Sequence, residues 1–236
     1  MPESGASYQK TLLRNARDAM SDTPDATAGT DADTPPDTAT AAPARKRPRP
    51  GERRVQILQT LAAMLENPRG EKVTTAALAA RLDVSEAALY RHFASKAQMF
   101  EGLIQFIEES VFGLINQIVG SEPDPLKQLR SIVLMLLGFA ERNPGMTRVL
   151  IGDALVTEDG RLQHRINQLN DRIEASVKQC FRNAIEQGRL PPENDPAARA
   201  NLVVSFVLGR WLRFAKTGFK RAPAEGLERQ VLLLIT

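Results

Sequence analysis

The chain has 236 residues with one cysteine and two histidines, enough length for one or two domains of ~100–200 residues each, but too few thiols and imidazoles for a disulfide framework or a zinc or iron site. Its longest unbroken apolar run, residues 132–140, is nine residues, half of the ~18 a membrane-spanning helix needs. No apolar leader follows the first methionine and the lone thiol fits a reducing compartment, so the expectation is a cytoplasmic protein without metal or cofactor.

The net charge of +3 is unevenly placed. Residues 1–44 carry 3 Lys/Arg against 7 Asp/Glu, and residues 45–54 carry 6 against 1. Residues 21–44 hold five aspartates, no cation and no aromatic; such a stretch buries too little apolar area to offset chain entropy and reads as disordered. Residues 8–20 read either as a short helical patch or as more tail. Residues 45–50 (RKRPRP) follow, with four cations and two helix-opposing prolines. They read either as a phosphate-seeking arm, since each neutralised phosphate releases counterions, or as a solvated linker.

From Arg53 onward apolar residues recur every three or four positions, which predicts an all-α chain. Val55, Leu58, Leu61, Ala62 and Leu65 form the first stripe, ended by Asn67, Pro68, Arg69 and Gly70. Thr74 or Thr75 can cap a short second helix carrying Leu78, Ala79 and Leu82. Ser85 can cap a third carrying Leu89 and Phe93, and Ser95 a longer fourth. Two short helices joined through Leu82, Asp83 and Val84 describe a helix-turn-helix whose second helix enters the groove of DNA. With Leu89 and Phe93 turned to the core, Ser85, Glu86, Ala87, Ala88, Tyr90 and Arg91 lie toward the groove. Tyr90 can meet a phosphate or a thymine methyl, Arg91 a phosphate or guanine, and Glu86 a cytosine amine. Glu86 in a first turn also favours the helix dipole without touching DNA. Thr74, Thr75 and Lys96 sit where helix N-termini favour phosphate. His92 reaches a phosphate or caps the packing onto the fourth helix.

Residues 74–100 (TTAALAARLDVSEAALYRHFASKAQMF), above all the Leu89 to Phe93 block followed by Ser95 and Lys96, resemble the DNA-binding domain of the TetR family of bacterial regulators. Asp83 stands where that family usually has glycine in the turn, a position that asparagine and aspartate tolerate better than most. Residues 84–93, 103–110, 136–144 and 162–174 extend the resemblance, over residues 51–236, to the family's nucleoid-occlusion branch. The resemblance implies an all-α TetR-like fold in three parts: a tail and arm (1–50), a three-helix helix-turn-helix domain (51–97) and a helical regulatory and dimerisation domain (98–236). It also implies a homodimer on palindromic chromosomal DNA, bound singly or as several dimers on one DNA, that antagonises the tubulin-like division GTPase FtsZ.

On the fourth helix Phe100, Leu103, Ile104, Ile107, Val111, Leu114, Ile115 and Ile118 share one line at about 100° per residue. Met99, Gly102, Phe106 and Gly113 form a second apolar edge that suits a neighbouring helix or a partner. The fifth helix, residues 125–142, stops ahead of Pro144. The nucleoid-occlusion resemblance places the GTPase contact around these two helices, at Phe106, Gly138, Arg142 and Asn143. Residues 162–187 carry the stripe Leu162, Ile166, Leu169, Ile173, Val177 and Cys180, with Gly188 as a C-cap, which makes Cys180 a buried, inert thiol and His164 a surface residue. Asp195 and Pro196 open a helix bearing Leu202, Val203, Phe206, Val207, Gly209, Trp211 and Phe214, and residues 227–235, ending in Val231, Leu232, Leu233, Leu234 and Ile235, form the last. The resemblance makes these two helices a dimer interface, while their pattern alone equally fits an intramolecular core.

Catalysis finds no glycine-rich phosphate loop, no H-E-x-x-H and no strand for a nucleophile elbow, so no enzyme is expected. The alternative is a TetR-type repressor released by a small molecule. Few polar residues interrupt the stripes (Ser110, Ser131, Ser176), so a pocket in the body would be apolar.

Overall fold

The computed structural model describes residues 51–67 and 73–236; the acidic tail, the basic arm and the breaker residues Pro68, Arg69 and Gly70 lie outside them. Among the described residues every regular element is helical, and no helix is long and apolar enough to cross a membrane.

Of the first three helices, the second and third are short and defined by their caps. Helix α1 (Glu52–Leu65) buries Ile57, Leu58, Leu61, Ala62 and Leu65. Val55, expected in this stripe, is half-exposed, because the buried face is rotated toward Ile57. Helix α2 (Thr75–Arg81) starts at Thr74, whose hydroxyl accepts from Ala77 N, and helix α3 (Glu86–Tyr90) at Ser85, which accepts from Ala88 N. Such caps satisfy first-turn amides that a helix leaves unpaired, each contributing about 1 kcal/mol. Between them Asp83 takes φ 55°, so the turn needs the left-handed backbone for which aspartate is tolerated.

Helix α4 (Lys96–Ser121), capped by Ser95, leaves this head and runs into the body. Its second apolar edge divides. Met99 and Gly102 are buried, and a Cβ on Gly102 would meet Phe93 at 3.1 Å and Leu58 at 3.4 Å, so the head covers that half. Gly113 faces open space and Phe106 is half-buried.

Helix α5 (Pro125–Arg142), capped by Asp124, is the central strut; Leu129, Ile132, Val133, Leu136, Leu137 and Ala140 are fully buried. Each such large side chain contributes roughly 1.5–3 kcal/mol relative to exposure. Gln128, buried among them, donates to the carbonyls of Glu122 (2.6 Å) and Val119 (3.3 Å), tying the end of α4 to α5. Pro144 does more than stop α5: it opens a further short helix, α6 (Pro144–Leu150). A 3₁₀ turn, Asp153–Leu155, leads to α7 (Gly160–Glu186).

The stripe of α7 is buried as its spacing requires. Its Arg165 pairs with Glu108 of α4 through Nη2 (2.8 Å) and Nε (3.2 Å). Cys180 is 2 % exposed, and burial pushes its thiol up to about 11, which keeps it protonated and unreactive. Gly188, at φ 66°, follows the helix end. Helix α8 (Pro196–Lys216) starts on the Asp195 cap, and α9 (Leu227–Ile235) closes the chain. Buried Arg210 donates to the carbonyls of Glu225 (2.9 Å) and Pro223 (3.3 Å) and to Gln230, fixing α9 against α8.

Candidate nucleic-acid interface

The recognition helix α3 is five residues long, too short to be stable alone. It is held from both sides. Leu89 and Phe93 are sealed into the core at 0 % and 1 % exposure. Their opposite face carries Ser85, Glu86, Ala87, Tyr90, Arg91 and His92, all exposed, with Ala88 half-exposed. Tyr90, at 45 % exposure, is a large aromatic with no interior to fill.

Two contacts on this surface were not legible in the sequence. The Thr75 hydroxyl donates to Glu86 Oε2 at 2.5 Å, so the glutamate is held by the preceding helix, and Thr75 is occupied with positioning it. Arg54 of α1 lies 4.2 Å above the Phe93 ring and donates Nη1 to the His92 carbonyl at 3.2 Å. A stacked guanidinium with one edge fixed presents its remaining donors at the far end of the recognition helix. No local pattern marks either contact, because each partner lies on another element.

Lys96 stands at the first position of α4, and its ammonium pairs with Glu158 Oε1 at 2.5 Å. The four partner candidates divide by environment. The guanidinium of Arg142 lies over Gly138, within 3.4 Å of where a Cβ would stand. Asn143 donates Nδ2 to the Phe139 carbonyl at 2.7 Å, closing the end of α5. Phe106 is half-buried a turn before Ser110, whose hydroxyl bonds its carbonyl at 2.8 Å.

Four of the five dimer residues need correction. Val203, Val207, Trp211 and Phe214 are buried inside the protomer, and Trp211 Nε1 donates to the Leu136 carbonyl at 3.1 Å. They belong to the core because α8 turns that face to α5. Phe206 is half-buried beneath the Arg210 guanidinium, 5.0 Å from it. The apolar side chains that α8 and α9 leave exposed are Leu202, Leu212, Leu232 and Leu233, the last at 82 %.

A capped helix-turn-helix with a polar outer face, carried on a long fourth helix into an all-helical body, defines a regulator of the TetR type. Residues 67–103 match the model of bacterial regulatory proteins of the tetR family, and residues 123–236 that of the tetracyclin repressor-like C-terminal domain. The fold is shared with the fatty acid degradation regulator FadR of Bacillus halodurans (TM-score 0.68, 15% identity, 78% of this chain and 95% of that one). It is shared too with the TetR family regulator PfmR of Thermus thermophilus (TM-score 0.63, 22% identity, 76% and 97%).

Closer relatives are the nucleoid occlusion factors SlmA. That of Alteromonas mediterranea is 49% identical over 178 residues, covering 75% of this chain and 91% of its own. That of Marinomonas sp. (strain MWYL1) is 51% identical over 174 residues, covering 74% and 88%. At this identity and coverage the chain belongs to the SlmA family of nucleoid occlusion factors within the TetR regulators.

Proposed function

We propose that the chain binds palindromic chromosomal sites as a homodimer and, from its place on the nucleoid, restrains assembly of the FtsZ ring. The observation that carries this reading is the outer face of α3. Ser85, Tyr90, Arg91 and His92 are exposed on a helix whose other side is fully buried, in a chain about half identical to nucleoid occlusion factors. Residues 51–97 form the DNA-binding domain and residues 98–236 the regulatory and dimerisation domain. Thr74, Arg91 and Lys96 meet phosphate. Tyr90 and the Thr75-held Glu86 face base edges, and Ala87 and Ala88 let the helix approach closely. One short reading helix makes too few contacts for specific affinity, so two are needed, roughly one helical turn of DNA apart.

Leu202, Leu212, Leu232 and Leu233, exposed on α8 and α9, form the dimer face, together with the half-buried Phe206. Large exposed leucines beside a filled core favour association, since burial of apolar area is the main driving force. Phe106, Gly138, Arg142 and Asn143 form the face for FtsZ. The test is polymer sedimentation of FtsZ with GTP, the protein and a duplex. Wild type is expected to lower the pelleted fraction, while Arg142→Ala keeps full duplex affinity and loses that effect. An Arg142→Ala protein that still disperses polymers removes this residue from the partner face.

A further inference from the structure

Besides α4, residues 144–159 join the head to the body. At the start of this stretch a Cβ on Gly145 would overlap the Ala62 carbonyl oxygen of α1, so α6 lies against the bare backbone of the head. Arg148 donates Nη1 to the Leu65 carbonyl at 3.2 Å and Nε to Asp153 Oδ2 at 2.9 Å. Asp153 also pairs with Lys216 at the end of α8, at 2.5 Å. At the far end of the stretch Glu158 takes the Lys96 ammonium. Those two side chains are 11% and 23% exposed, so this is a shielded pair rather than a solvated surface contact.

Lys96 is three residues beyond Phe93, at the N-terminus of α4. A cation there, beside the groove-reading helix, is placed for a DNA phosphate. A carboxylate holds it here: Glu158 Oε1 lies 2.5 Å from the Lys96 ammonium. We propose that Glu158 is an intramolecular stand-in for a DNA phosphate: it latches the head to residues 144–159, and DNA engages Lys96 only by displacing it. The inference rests on the DNA-binding reading above and supplies its regulation. Displacement unfastens the turn that runs back from Glu158 to Gly152, which holds a left-handed backbone at φ 78°. The ligand has to favour one arrangement over the other for such a shift to occur, and the exchange of a carboxylate for a phosphate at one ammonium supplies that difference.

The experiment is a double-mutant cycle on duplex affinity with wild type, Glu158→Gln, Lys96→Met and the double variant. The duplex is one recovered by binding selection from a random pool. Glu158→Gln is expected to bind roughly three- to tenfold more tightly, as loss of a competing ion pair predicts. Lys96→Met is expected to lower the log–log salt slope by ~0.9, one phosphate's worth. In the Lys96→Met background the Glu158→Gln gain should vanish. Amide exchange gives a second readout: duplex should speed exchange across residues 151–159 of wild type, and Glu158→Gln should show the faster exchange without DNA. A gain that persists without Lys96, or a Glu158→Gln protein that binds no more tightly than wild type, overturns the latch while leaving DNA binding intact. Failure of wild type to bind any selected duplex overturns the DNA reading and the latch with it.

Discussion

The head and helix α8 both present apolar and polar residues at helical spacing, yet they resolve in opposite ways. In the head each short helix is fixed by a cap and one or two core anchors, so its outward residues follow from its inward ones. Helix α8 is 21 residues long and apolar on more than one side, so periodicity alone does not say which side meets α5 and which meets a second molecule. Its largest residue, Trp211, lies in the core, while its leucines Leu202 and Leu212 are exposed. In short helices one or two core anchors decide the outward face; in long ones the neighbours do.

The largest effect that tests this contrast comes from Trp211→Ala. It removes a fully buried indole and its bond to Leu136, and should cost about 3–5 kcal/mol in chemical denaturation. A protein that keeps its stability and loses only its dimer would return Trp211 to the interface. Next, Leu233→Glu places a charge on an exposed position and should leave protomer stability within about 0.5 kcal/mol. It should raise the dimer Kd roughly 30-fold or more, as for an interface hot spot. Sedimentation velocity over a concentration series checks this, and unchanged association would move the interface off α9.

A smaller effect sharpens the head. Ser85→Ala removes the cap of α3 and should cost about 1 kcal/mol, seen as roughly fivefold weaker duplex binding with little change in the body's amide exchange. Equal loss of protection in α5 would show that the head is not separable in this way. The smallest effect is on pH. Burial acts to raise the Asp153 carboxyl, but hydrogen bonds from Lys216 and Arg148 outweigh it and hold it below the usual range. A depressed carboxylate adds stability above its unfolded pKa of ~3.9 and loses it as pH falls through the lower folded value. The Tm gap between wild type and Asp153→Asn should therefore be steady at neutral pH and close on acidification below that range. A gap that widens in acid would contradict the pairing.

Much of this was legible in the sequence for physical reasons. Thr74, Ser85, Ser95, Asp195 and Asp83 act through atoms within a few residues of themselves, so their roles are local and readable. The α7 stripe was readable because a single wide apolar face leaves one solution. The engagement of Lys96 by Glu158, of Glu86 by Thr75 and of Arg54 by Phe93 and the His92 carbonyl was not readable, since each joins separate elements. The short helix α6 was also missed, because Pro144 ends one helix and begins another, and proline suits both places.

The most direct test of the central claim is chromatin precipitation of this protein across the chromosome of its own host. The account predicts many palindromic sites scattered over the chromosome and largely independent of promoters. Enrichment at only one or a few promoter operators would contradict it and mark the chain as a local repressor.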